Sequence, residues 1–223
     1  MLRSEINKNI IEAINFFNEM NFRLPKWACW KRKEWETNIN VVSEIAQRGL
    51  GWDITDFGSN NFNKVGLINF NLRNKIYCEK IIICKENQIT PFHTHRQKVE
   101  DIINRGGGKL VIDLRSSNEI GFSKSKEKQI IVYIDSIPVS FESKTKIVLT
   151  PGQSICLEPG IFHQFYGQEG YGKVLVGEVS TTNDDTIDNV FVNGNPRFPD
   201  IEEDEEPVHF LVSDYNCFLH NPY

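Results

Sequence analysis

The stretch Pro91–Gly108, PFHTHRQKVEDIINRGGG, holds two histidines one residue apart, a carboxylate five residues after the second, and three consecutive glycines. In an extended chain, residues i and i+2 point to the same face. His93 and His95 therefore project together and can reach one ion if that face lines a barrel interior. The spacing from His95 to Glu100 fits a tight turn and a returning strand that brings a carboxylate back. Gly106, Gly107 and Gly108 suit a turn where side chains would clash.

A second stretch, PGQSICLEPGIFHQF (Pro151–Phe165), has Gly/Pro turns on both sides of a short apolar run, and His163 begins the next strand. Around these two stretches lie KIYCEKIIICK, KLVIDLR, QIIVYI, KIVLT and KVLVGEVS, short β-branched runs separated by turn residues. Close succession of such runs predicts an all-β core, an antiparallel sandwich or barrel rather than βαβ units. We place the barrel core at 65–180. Upstream, Ile6, Ile10, Ile14 and Phe17 recur at helical spacing behind Ser4 as N-cap, and a second helix covers Val41–Arg48 with Gly49 closing it. Residues 1–60 thus read as an N-terminal helical appendage packed on the barrel, and 181–223 as a polar loop and C-terminal segment. The 1–223 chain reads as a single domain.

The net charge of −5 argues against nucleic acid as a partner, which needs a basic face. No apolar run is long enough to cross a bilayer. The N-terminus lacks the basic-then-apolar order of a signal peptide. The five cysteines are scattered without a C-x-x-C and read as reduced thiols of a cytoplasmic protein. The acidic block DIEEDEEP (Asp200–Pro207) reads mostly as a solvated face.

The pattern H-x-H-x4-E followed by G-x7-G-x2-H resembles the two motifs of the cupin superfamily. The resemblance implies a cupin-type antiparallel jelly-roll β-barrel in which His93, His95, Glu100 and His163 hold a divalent metal. Three imidazoles and one carboxylate suit Mn(2+), or Co, Ni, Fe or Zn, with positions left open for substrate. Asn87 and Gly167 depart from the superfamily pattern, and Pro159 is displaced by one place, but no ligand is lost. TPFHTHRQKVEDIINRGGG, PGQSICLEPGIFHQF, VLVGEVSTTNDDTIDN and RFPDIEEDEEP are also similar to the D-lyxose ketol-isomerase family over most of the chain. That resemblance implies a Mn-dependent aldose–ketose isomerase converting D-lyxose to D-xylulose, with D-mannose to D-fructose as a side activity. It further implies a homodimer and a small-molecule sugar as the partner.

Such a reaction moves a proton between C2 and C1 and needs a base beside the enediol. Glu178, charged within an apolar run, is a candidate, against a structural role facing water or a salt bridge at a strand end. Lys80, on the strand before His93, could neutralise a substrate alkoxide or hold an oxygen, against a role as an edge-strand charge. Arg197 is the member of the polar loop best suited to contact a substrate hydroxyl or pin a carboxylate. Asp184, Asp185 and Asp188 lie in the same loop, and Glu202 and Glu203 could include the base. His209 and His220 lie outside the motifs and read as ordinary residues, and the four tryptophans read as packing. Two other readings stay open: an iron-dependent cupin dioxygenase, which needs an apolar pocket for gas, and a non-catalytic sugar-binding cupin.

Overall fold

The computed structural model describes residues 1–73, 75–116, 129–184 and 187–216. Three helices come first: α1 (Arg3–Glu19), α2 (Arg32–Thr37) and α3 (Ile39–Gln47). The strands follow as β1 (Gly51–Thr55), β2 (Leu67–Arg73), β3 (Tyr77–Cys84), β4 (His93–His95), β5 (Glu100–Gly107), β6 (Leu110–Arg115), β7 (Gln129–Ile134), β8 (Ile137–Glu142), β9 (Thr145–Leu149), β10 (Ser154–Leu157), β11 (Phe162–Gly167), β12 (Val174–Thr181) and β13 (Asn189–Phe191). A large sheet runs β1-β2-β3-β12-β5-β10-β7-β8 and a smaller one β13-β4-β11-β6-β9, with every strand pair antiparallel.

Strand alternation divides the buried side chains. Ile82, Ile102, Val174, Val176 and Ile155 of the large sheet join Ile112, Leu114, Ile147 and Phe165 of the small one in a core between the sheets. Ile81, Ile83, Phe70, Ile68 and Trp52 point the other way, onto Ile6, Ile10, Ala13 and Phe17 of α1. Each fully buried side chain of that kind contributes about 1.5–3 kcal/mol. That face is what keeps α1 helical. The fold is the jelly-roll type expected; α1 packs on its large sheet, while Trp35 of α2 and Val42 and Ile45 of α3 cluster with Phe210 and Tyr215 of the C-terminal segment.

The first sixty residues hold more than helices, since Gly51–Thr55 adds a strand beside β2. Helix α1 begins at Arg3 with Leu2 in the N-cap position, and the Ser4 hydroxyl donates to Asp204 instead of capping. Helix α3 closes as the glycine suggests: Gly49 at φ +59 donates to Ala46 and Leu50 donates to Ile45, a Schellman ending. Trp35 and Trp52 are buried packing residues.

The acidic block is mostly a solvated face, its carboxylate residues all exposed, yet Glu203, Asp204 and Glu205 reach back to the start of α1. Arg3, buried, donates to both carboxylate oxygens of Glu203 and of Asp214, and Asn7 donates to Glu205. The hydrogen bond from Arg3 holds the Glu203 carboxyl below its usual range. Met1 and Arg3 also pair with the backbone of Asp200 and Glu202, so the C-terminal segment is clasped to the start of α1. The Glu203 carboxylate is engaged there by Arg3, whereas Glu202 joins through its backbone.

Two departures from the superfamily pattern have local causes. Asn87 adopts φ +56, a left-handed conformation that asparagine tolerates better than most side chains. At Gly167 a Cβ would lie 2.9 Å from the Lys85 carbonyl oxygen, which leaves no room for the asparagine often found there. The glycine run serves a close approach rather than a free turn. A Cβ at Gly107 would stand 2.4 Å from the Lys173 carbonyl, beside the bulge where β12 shifts register on β5.

Candidate functional site

His93 and His95 lie on β4, His163 on β11 directly opposite His93, and Glu100 at the start of β5 across the interior. One potential ligand atom from each of the four lies within 4.8 Å of all the others. His95, Glu100 and His163 are buried, with Glu100 Oε1 3.2 Å from His95 Nε2 and 3.0 Å from His163 Nε2. Those three atoms have no hydrogen-bond partner among the described residues. Buried polar atoms left that way cost free energy unless something binds them. The set therefore fits a borderline divalent ion.

The rings are held from behind. His93 Nδ1 stands 2.9 Å from the Pro91 carbonyl and His163 Nδ1 3.1 Å from that of Ile161. A proton donated there leaves each Nε2 lone pair facing the centre. Burial, then the neighbouring imidazoles His163 and His95, push the His93 pKa well below its ordinary value, which keeps it neutral and able to ligate. Asp188 is 3.4 Å from His95 Nδ1, while its other oxygen accepts from the backbone of Arg96 and Gln97. One carboxylate thus holds the loop that leads to Glu100 by backbone hydrogen bonds and places a negative charge behind the His95 ring.

Behind the four donors lies a buried charge chain. Glu178 on β12 faces Lys80 on β3 in register, with Lys80 Nζ 3.1 Å from its Oε1. Lys98 Nζ donates to the same oxygen at 2.8 Å and is 2.6 Å from Glu100 Oε2. Burial works to raise the Glu178 and Glu100 pKa values, but Lys80 and Lys98 outweigh it at Glu178, and Lys98 with His95 and His163 outweighs it at Glu100, so both carboxyls are held below their usual range. Lys98 joins the metal-facing carboxylate to Glu178, and sequence reading passed over it. The signal was present as H-x-H-x2-K-x-E, but a lysine in a polar loop looks solvated until the loop is seen to turn inward.

Lys80 and Glu178 are neither edge nor strand-end charges, since both are buried on central strands. Arg197 lies farther along the same wall, paired with Asp53 on β1. His209 is settled against the Trp30 carbonyl, and Asp185 and His220 lie outside the described residues.

A family model described as D-lyxose isomerase matches residues 1–215. The chain belongs to the D-lyxose isomerase family. It is 40% identical over 230 residues to the D-lyxose/D-mannose isomerase of Serratia proteamaculans, covering 98% of this chain and all of that protein. The D-lyxose/D-mannose isomerase of Escherichia coli O157:H7 matches at 40% over the same span. The enzyme class is thereby aldose–ketose isomerase. Among solved structures, Cellulomonas parahominis L-ribose isomerase without ligand superposes with a TM-score of 0.59 at 12% identity, covering 91% of this chain and 98% of that one. Acinetobacter sp. DL28 L-ribose isomerase in complex with L-ribose gives 0.59 at 14% identity, with the same coverage. At that identity the likeness speaks for the fold. Among the described residues no helix is long and apolar enough to cross a membrane.

The place of Asp188 makes a prediction for this D-lyxose isomerase family member. Asp188→Asn removes the charge behind His95 but keeps a group that can accept from Arg96 and Gln97. Metal affinity, titrated with a chromogenic chelator as competitor, is expected to fall about 10- to 100-fold with the fold retained. Unchanged affinity would show that His95 needs no carboxylate behind it.

Proposed function

We propose that the protein interconverts D-lyxose and D-xylulose, and D-mannose and D-fructose, through an enediol, with His93, His95, Glu100 and His163 holding a divalent ion, manganese first. The observation that carries this reading is the union of the His3Glu cluster with a buried Lys–Glu–Lys chain at its side. A pure sugar binder has no use for that cluster, and an oxygenase wants apolar walls where this site has lysines and carboxylates.

A divalent ion bound by the four donors supplies Lewis acidity to the carbonyl and neighbouring hydroxyl of the open-chain sugar. Glu178, kept ionised by Lys80 and Lys98, is the base that takes the C2 proton and returns it to C1. Lys80 offers an ammonium to the oxygen that gains charge as the enediol forms. Arg197 holds a hydroxyl of the substrate chain. We place the protein in the cytoplasm as a homodimer, by its thiols and its family likeness.

The test is a panel of aldoses against metals after chelation. D-Lyxose and D-mannose are expected to yield ketose only after Mn, Co, Ni or Fe is restored. Full turnover in the chelated protein, or uptake of oxygen in place of ketose formation, would overturn the reading.

A further inference from the structure

The wall of the large sheet changes character as it leaves the metal cluster. On the interior face, β3 and β12 alternate between apolar Ile82 and Val176 and charged Lys80 and Glu178. The next two strands offer polar side chains at the matching positions. Asn71 stands opposite Lys80, Asn69 opposite Ile82, and Asp53 opposite Asn69. All three are buried, Asn69 completely. Asn69 Nδ2 donates to Asn71 Oδ1 at 2.8 Å, and its own amide oxygen has no partner among the described residues. Asp53 pairs with Arg197, whose side chain is 9% exposed.

Burying this much hydrogen-bonding capacity where neighbouring strands place isoleucine and valine costs free energy that the barrel alone does not require. The position suggests the use. Adjacent strands lie about 4.8 Å apart, so β2 is roughly 10 Å from β12 across the sheet. That is the reach of a five- or six-carbon chain whose first two carbons lie beside Glu178.

We propose that Asp53, Asn69 and Asn71 form, with Arg197, the subsite that reads the hydroxyls of the sugar tail. Asn71 and Arg197 meet the tail directly. Asn69 orients the Asn71 amide through its hydrogen bond. Asp53 is a positioning residue: Arg197 comes from a segment without regular structure, and the buried carboxylate on β1 sets where its guanidinium stands. The proposal rests on the isomerase reading and adds to it the part of the molecule that distinguishes a long aldose from a short one.

The experiment compares D-lyxose with glyceraldehyde, which has the hydroxy-aldehyde head and almost no tail. Wild type, Asp53→Asn and Asp53→Glu are assayed with metal restored, following ketose formation from D-lyxose and solvent-deuterium uptake into glyceraldehyde. For Asp53→Asn, KM for D-lyxose is expected to rise roughly 10- to 100-fold, with exchange into glyceraldehyde changed by less than about threefold. Metal content stays at the wild-type level, and Asp53→Glu recovers part of the loss. If Asp53→Asn does not fold, Asn71→Ser carries the same comparison. Equal losses on both substrates, or an unaltered KM for D-lyxose, overturn the subsite while leaving the isomerase reading intact. A metal-loaded wild type that is inert toward every aldose overturns both.

Discussion

His95→Ala is expected to leave the protein folded but unable to retain its metal, with ketose formation falling by about three orders of magnitude or more. The size follows from what is lost. A Lewis acid at a carbonyl is worth several kcal/mol of barrier, and each 1.36 kcal/mol is a factor of ten. His95 Nε2 faces the Glu100 carboxylate while Nδ1 faces Asp188, so its removal breaks the donor set and the contact that orients it. The fold survives because the core between the sheets is formed by side chains such as Ile102, Ile112 and Phe165, outside the cluster. A measurement independent of turnover separates these effects. Metal that binds only the folded state stabilises it by about 4 kcal/mol when present at a thousand times Kd. Added Mn is therefore expected to raise the melting temperature of the chelated wild type and to leave that of His95→Ala where it was. Wild-type metal stoichiometry in the variant, by elemental analysis, would sink the four-ligand site.

The four donors were legible because each of the two stretches carries its own geometry: i, i+2 alternation for His93 and His95, and a turn before His163. Most strands from Tyr77 to Thr181 were legible for a related reason, their β-branched residues falling between turn residues. GWDIT, LINFNLR and IPVSFE were not singled out. The first two place Asp53, Asn69 and Asn71 inside the barrel, so their alternation is apolar on the helix-covered face and polar on the interior. That inverts the usual signal of a half-buried strand. The acidic block is exposed as its composition suggests, but local composition cannot show that a buried Arg3, about two hundred residues away in sequence, pairs with Glu203. Long-range pairing of this kind depends on topology, as does the turn that carries Lys98 inward.

Glu178→Gln is the substitution with the largest expected effect on chemistry alone. Glutamine keeps the volume and can still accept from Lys98, so the wall between β3 and β5 is preserved, and the ligand set is untouched. What disappears is the ability to hold a proton in transit. General acid–base groups contribute about 10²- to 10⁴-fold, and kcat on D-lyxose is expected to fall to the far end of that range with KM changed little. Metal content should stay at the wild-type level, which sets this variant apart from His95→Ala. The rival account makes Glu178 a structural counter-ion for Lys80 and Lys98. Neutralising it would then take away the carboxylate charge that pairs with both buried ammonium groups, and the cost would appear as lost stability with turnover nearly intact. Chemical denaturation and kcat, measured on the same preparation, decide between the two. A kcat within tenfold of wild type assigns the proton transfer to another group, whereas a large loss of kcat with a melting curve close to wild type requires the Glu178 carboxylate to touch the reacting carbons.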